Sequence, residues 1–312
     1  MPHHRRRPTE PLEQAVSDFV SVRPRLFGIA YRMLGSTTEA EDIVQEIWIR
    51  WQTTDRSVVL DPVGFLIAAT VRLAINVAQS ARVRRETYIG TWLPEPVDTS
   101  ADPQIGAERG EALELAVLLL LETLTPTERA AYVLREAFDY PYPKIATVLA
   151  QSEANARQLV SRARKHVGAG RQERVTPIEQ RRLLEAFLAA ARVGDLARLE
   201  TILAADVVSY SDGGGIAGVV RVPIMSRTRV ARFVAGFSAR FWTDADVEWV
   251  AVNGQSGVLV SRDGRPVTLM VISAAATGVD QIMWVMNPVK LAGFTSRSGA
   301  DLTPGTDCDN AD

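Results

Sequence analysis

The 312-residue sequence holds one cysteine, Cys308, and three histidines, His3, His4 and His166. A single cysteine excludes a disulfide within the chain and any metal site built on cysteine pairs, and it suits a reducing compartment. Residues 177–291 contain no histidine, so that stretch has no imidazole base, no Ser–His–Asp triad and no histidine metal ligand. Long apolar runs are missing too. The run AVLLLL at 116–121 falls far short of the roughly 20 residues needed to span a bilayer. No apolar stretch follows the basic start MPHHRRRP, which argues against a secretory signal and for a soluble cytoplasmic chain. Nor is there an excess of positive charge: 35 Lys and Arg face 37 Asp and Glu, a net charge of −2. Attraction to nucleic acid must therefore reside in a local patch.

What is present is a globular composition, 46% apolar and 23% charged, in a chain long enough for two or three domains. After a polar tail (1–10), helical periodicity fills 11–86. Leu26, Ile29, Ala30 and Met33 share a face, and Gly35 stops their helix. Ser36, Thr37 and Thr38 are candidate caps for the next helix, whose stripe is Ile43, Val44, Ile47 and Trp51. Asp61 and Pro62 open a third helix that ends in Arg82, Arg84 and Arg85. Pro94, Pro96 and Pro103 make 87–106 an acidic, stiff linker. Helical patterning returns over 107–170, interrupted by TLTPTE and FDYPYP. From about Pro177 to Leu291 one or two helices precede the runs DVVSYS, GVVRV, DVEWVAVN, SGVLVSR, PVTLMVIS and GVDQIMWVM, with turn signals at Asn253-Gly254 and Asp263-Gly264. That order predicts an α+β domain with a curved antiparallel sheet. Residues 292–312 read as a disordered tail.

Two stretches carry chemistry. In YPKIATVLAQSEANARQLVSRARKHV (142–167), a helix from Pro143 to Ala150, a turn at Gln151-Ser152 and a longer helix capped by Ser152 form a helix-turn-helix pattern. The second helix exposes Arg157, Arg162, Arg164 and Lys165, which suits a major groove, with a solvated basic helix as the lesser alternative. Upstream, AEDIVQEIWIRW sets Glu41, Asp42, Gln45 and Glu46 on a polar face. The following helix places Arg72, Asn76 and Ser80 four residues apart beside Gln79, a stripe suited to bases and phosphates.

Together, the acidic helix, the basic helix, the linker and the helix-turn-helix ending SRARK closely resemble the extracytoplasmic-function (ECF) sigma factors of bacterial RNA polymerase, over roughly residues 20–168. The resemblance implies two all-α sigma domains, 11–86 and 107–170, with core RNA polymerase and promoter DNA as partners and no cofactor. By position, it assigns Asp42, Gln45 and Glu46 to the polymerase. It assigns Arg72, Asn76, Gln79, Ser80, Arg82, Arg84 and Arg85 to the −10 element. Ser152, Asn155, Arg157, Gln158, Ser161, Arg162 and Lys165 go to the −35 element. The strings WLPEP (92–96) and NPVKL (287–291) match a subgroup with a fused C-terminal domain, similar to the SnoaL-like cone of the nuclear-transport-factor-like fold. In that subgroup the extra domain regulates the factor in cis, in place of a separate anti-sigma protein. Regulatory contacts are expected at Trp92, Leu93, Pro94, Glu95 and Pro96, at Asp212, Gly213, Gly214 and Gly215, and at Asn287, Pro288, Lys290 and Leu291.

The string SDGGGI (211–216) lacks the lysine and hydroxyl of a phosphate loop, and it reads as a glycine turn between two strands. The subgroup carries DGGGK here, so Ile216 replaces a lysine. An alternative function is a DNA-binding protein fused to a working cyclase- or isomerase-type enzyme, or to a small-molecule sensor. Of the carboxylates in 177–291, Asp206 and Asp280 are the best catalytic candidates, and the others read as solvated turn or strand-end residues. Without histidine, regulation is the expectation, no catalytic residue or metal is assigned, and a small-molecule ligand in the cone stays open.

Overall fold

The computed structural model describes residues 12–99, 114–169 and 174–294. The expected tail 1–10, the part of the expected tail 292–312 from 295 onward, the stretch 100–113, and His3, His4 and Cys308 lie outside the described residues. The start of the C-terminal stretch is ordered rather than tail, with Phe294 buried in the core and its N–H on the Leu291 carbonyl at 2.9 Å.

Helices α1 (Leu12–Leu34), α2 (Thr37–Thr53) and α3 (Pro62–Glu86) form the first bundle. Gly35, with φ +64°, turns the chain out of α1, and the Ser36 hydroxyl accepts the Glu39 N–H at 3.3 Å to start α2. Asp61 caps α3 through the Gly64 N–H at 2.9 Å. The two expected stripes are buried, and Leu66, Ile67, Val71 and Ala74 of α3 join them in the core. By length and composition α3 could cross a bilayer. Its buried face instead packs on α1 and α2, and Arg72 sits in its middle.

The second bundle comprises α4 (Leu115–Leu121), α5 (Pro126–Glu136), α6 (Tyr142–Leu149) and α7 (Glu153–Ala169). Thr125 and Glu128 form a reciprocal capping box at the start of α5. Between α6 and α7, Ala150 takes a left-handed φ of +52° and Ser152 caps Asn155 N–H at 3.2 Å. The helix-turn-helix is formed, starting at Tyr142 rather than Pro143. Ile145, Val148 and Leu149 are buried against Ala156, Leu159 and Val160.

The third unit runs α8 (Pro177–Val193), α9 (Leu196–Ile202), β1 (Leu203–Asp212), β2 (Ile224–Met225), α10 (Arg227–Phe241), β3 (Asp246–Val252), β4 (Gln255–Arg262), β5 (Arg265–Ala275), β6 (Gly278–Val285) and α11 (Pro288–Leu291). The sheet order is β2-β1-β6-β5-β4-β3. Both turn signals are hairpins, with positive φ at Asn253, Gly254, Asp263 and Gly264.

Three expectations need correction. The sheet is mixed, because β1 and β6 are parallel neighbours. GVVRV falls within the loop 213–223 between β1 and β2, in which Gly214, Gly215 and Gly218 hold positive φ. The stretch after it is α10, whose buried Val230, Ala231, Val234 and Ser238 recur at helical spacing.

The sheet is covered on both faces. Val258, Val260, Met270, Ile272 and Trp284 pack under α8, α9 and α10, while Leu259, Leu269, Val271, Met283 and Val285 join the core shared with the two helical bundles. The third unit is thus packed onto the other two through a sheet face.

Candidate nucleic-acid interface and interdomain clamp

Residues 88–99 cross the seam between the bundles and the sheet as an extended strap. Leu93 is its buried anchor. The Trp92 ring meets two cations, the Arg85 guanidinium 3.6 Å and Lys290 Nζ 4.4 Å from its centroid. The Glu95 carboxylate accepts the Thr37 N–H at 2.8 Å, the Ser36 hydroxyl at 3.1 Å and the Thr37 hydroxyl, placing a negative charge at the start of α2. The Glu95 N–H donates to the Gly35 carbonyl, and its carbonyl accepts from Tyr31, both at 2.7 Å. A Cβ on Gly35 would stand 2.8 Å from Trp92, so that position needs glycine for close approach as well as for φ.

On the sheet side the strap is held by Asp212, which has 0% exposure. Its carboxylate accepts from Leu93 N–H at 2.9 Å, Gly214 N–H at 3.1 Å, Lys290 Nζ at 2.6 Å and the Tyr88 hydroxyl. Lys290 also donates to the Leu93 carbonyl, and Asn287 Nδ2 reaches Tyr88 at 3.0 Å. Burial lowers the Lys290 pKa and Asp212 opposes that shift; burial, then the bond to Asp212, raises the Tyr88 pKa. Asp212 is therefore no solvated turn residue. Two main-chain N–H groups, a hydroxyl and an ammonium replace the water it loses. WLPEP, the DGGG turn and NPVKL meet at this one carboxylate. In that turn Gly213 packs on Val219 and Gly214, at φ +59°, on Asn287, while Gly215 faces Ile89. Pro94 and Pro96 are buried in the strap, and Leu291 in the core.

A second grip was not anticipated. Asn253, 0% exposed, donates its N–H to Val97 O and accepts Val97 N–H on Oδ1, both at 2.9 Å, and Nδ2 reaches Tyr31 at 2.8 Å. With Thr99 N–H on the Ala251 carbonyl at 3.0 Å, the strap extends the edge of β3. The hairpin dipeptide Asn-Gly hides this role, because turn chemistry already accounts for the asparagine. The apolar run PVTLMVIS was a better signal: an unbroken run implies cover on both faces.

The sigma-like bundles touch each other as well. Arg129 Nη1 bonds the Met33 carbonyl at 2.8 Å and Glu122 at 2.6 Å, and Glu122 also pairs with Arg85. Arg85 is thus held in the junction rather than presented on the α3 surface, and Arg72 Nε lies 3.4 Å from the Val148 carbonyl of α6. Asn76, Gln79, Ser80 and Arg82 are exposed, and Arg84 pairs with Glu39. On α2, Asp42 and Gln45 are exposed and Glu46 pairs with Arg50 at 2.7 Å. On α7, Ser152, Gln158, Ser161 and Lys165 are exposed, and Asn155 bonds Gln151 at 2.7 Å. Three arginines of α7 already hold glutamates: Arg157 with Glu153 at 2.5 Å, Arg162 with Glu128 at 2.9 Å and Arg164 with Glu136 at 2.7 Å. Burial alone would raise the Glu128 pKa, but the Thr125 and Arg162 bonds outweigh it and hold it low.

Residues 19–87 match the family Sigma-70 region 2, and residues 114–167 match Sigma-70, region 4. The chain is 39% identical over 233 residues to the ECF RNA polymerase sigma factor SigJ of Mycobacterium tuberculosis, covering 72% of this chain and 74% of that protein. It is 32% identical over 275 residues to the probable ECF sigma factor SigI of the same species, covering 86% and 92%. The chain belongs to the ECF RNA polymerase sigma factors. The crystal structure of M. tuberculosis SigJ matches this sigma factor's fold with a TM-score of 0.72 and 33% identity, over 89% of this chain and 98% of that one. The sigma factor therefore directs transcription, with RNA polymerase and promoter DNA as its partners, and its sigma domains are followed by an α+β cone. In that cone Asp206 is exposed, and Asp280 accepts the Ser273 hydroxyl at 2.6 Å with Arg174 3.5 Å away. Among the described residues, no group of three His, Cys, Asp or Glu side chains is placed to hold a metal.

Proposed function

We propose that this sigma factor is restrained in cis by its C-terminal domain, which grips the strap between the sigma domains and keeps the factor closed. The observation that carries the reading is Asp212, a buried carboxylate from one domain whose partners include the strap residues Tyr88 and Leu93. While the strap is gripped, Arg85 stays in the junction and α6 lies against α3 beside Arg72. Two domains packed together in this way cannot each lie on a separate promoter element. Opening frees Arg72 and Arg85 for the −10 element, the α7 face for the −35 element, and Asp42, Gln45 and Glu46 for polymerase in the cytoplasm.

In this reading the regulator is covalently attached and no separate anti-sigma protein is needed. The cone acts by contact rather than catalysis, since neither Asp206 nor Asp280 lines its cavity. In-vitro transcription with core polymerase tests it. Lys290→Met and Asp212→Asn are expected to raise promoter-specific output several-fold over the unmodified chain. Output unchanged or lowered in a folded variant overturns cis-restraint.

A further inference from the structure

We infer that the C-terminal cone carries a binding site for an amphipathic carboxylic acid, a molecule with an apolar body and one anionic head. The site is a cavity of about 550 Å³ between α10, the sheet and the loop after β1, within the size range of small-molecule pockets. Its wall is built from aromatic rings already packed on one another. Phe237 meets Phe233 at 4.8 Å, Phe241 at 5.2 Å and Trp284 at 6.0 Å between centroids, edge to face. Among the described residues, no acid or histidine lines it. Such a wall suits an aliphatic or aromatic body, and among the described residues it sets no carboxylate there to pair with a cation.

The polar lining specifies the head. Arg262 gives its guanidinium to main-chain carbonyls at the end of α10, Phe241 and, at 3.5 Å, Arg240; among the described residues it has no carboxylate partner. Arg240 lies on the same wall, exposed and likewise without an acidic partner among those residues. Thr268 is 0% exposed and lines the cavity, and among the described residues its hydroxyl has no hydrogen-bond partner. Buried hydroxyls are rarely left in that state. Two arginines without acids and a buried orphaned hydroxyl on an apolar wall suit a carboxylate head. A polyphosphate would force further charge among the phenyl rings.

The cavity shares its walls with the clamp. Ile216 and Val219 come from the loop that begins at Asp212, and Pro288 and Leu291 from the short helix that carries Lys290. Ile216, standing where the resembled subgroup has lysine, thus gives the rim an apolar side chain. Resting on the cis-restraint reading, the same inference makes the acid a ligand that shifts this loop and helix, and with them the grip on the strap.

Calorimetric titration of the full chain with decanoate and with naphthylacetate, each compared with its alcohol and its amine, tests the site. One-to-one binding of an acid is expected, with the alcohol weaker by roughly ten-fold or more and the amine weaker still. Arg262→Met should remove most of the acid's advantage. Because Arg262 also holds the end of α10, Arg240→Met supplies the same readout through an exposed side chain whose loss leaves the fold intact. Thr268→Val should weaken both acids without changing the volume. Absence of saturable binding by both acids, an alcohol as tight as its acid, or acid binding unaffected by either arginine variant overturns the site. The coupling has its own readout. An acid that binds but changes neither promoter output nor protease sensitivity of residues 88–99 overturns the coupling and leaves the site standing, while Lys290→Met reports on cis-restraint with no ligand present.

Discussion

The clamp at Asp212 and the outer face of α7 are made of the same materials, basic side chains set against carboxylates, yet they differ in burial and in where their partners come from. Around Asp212 the ion pair is buried, 11% and 0% exposed for Lys290 and Asp212, and each polar atom there has a partner from another segment. On α7, Arg157, Arg162 and Arg164 are all more than half exposed, and their glutamates lie in the same bundle; Glu153 and Glu136 keep part of their surface, while Glu128 is buried. Removing one partner from a buried pair costs about 3–5 kcal/mol, because the other charge is left stranded. An exposed pair is worth about 0–1 kcal/mol and can be traded for a phosphate at little cost. Burial, more than residue type, separates a latch from a surface that exchanges partners.

The largest expected effect breaks the latch. Asp212→Ala strands Lys290 and removes the acceptor of Tyr88 and Leu93, so hydrogen-exchange protection of the strap should fall by about 3–5 kcal/mol. Protection within about 1 kcal/mol of the unmodified chain would show that the sheet face alone holds the domains. Asn253→Ala should cost about 1–3 kcal/mol by the same measurement, since it leaves the Val97 N–H buried and unpaired. A pH experiment sharpens the point. The Tyr88 pKa is raised in the folded chain, so its contribution is complete below the ordinary tyrosine value of about 10 and is lost as pH climbs through the raised one. Phenolate absorbance should therefore show Tyr88 ionising late together with buried Tyr31, and Tyr88→Phe should reduce that late component by one tyrosine's amplitude.

The sequence makes the latch legible in parts and its junction only by resemblance. Helix starts and stops follow from local chemistry: Gly35, Ser36, Asp61 and Ser152 each act within three residues of themselves, which is why they can be read directly. The hairpins at Asn253 and Asp263 were readable for the same reason. What pairs Asp212 with Tyr88 spans 124 residues, and no periodicity encodes a contact of that reach. The resemblance of WLPEP and NPVKL to a subgroup points to segments that meet in the fold, but not to burial of the aspartate or to Asn253. The missed helix α10 has a different cause. Its RTRVARFVAGFSARF stretch mixes β-branched and aromatic residues with a helical period, and the period decides once the face it presents is packed on the sheet.

On the exchanging side of the comparison the effects are smaller. Arg162→Ala should weaken promoter binding and reduce its salt dependence by about one counterion if Arg162 meets a phosphate. Loss of discrimination at a single base pair, with the salt slope unchanged, would instead place Arg162 on a base edge. Glu136→Gln frees Arg164 and should tighten binding to any duplex, specific or not, most visibly at low salt. Smallest of all is the pair Arg157–Glu153, four residues apart on one helix turn and about half exposed. A double-mutant cycle on the free protein should find a coupling of about 0.3–0.5 kcal/mol, and less at high salt. A coupling several times larger would mean that the α7 face is locked in the free factor, as Asp212 is, and that its arginines cannot change partners cheaply on meeting DNA.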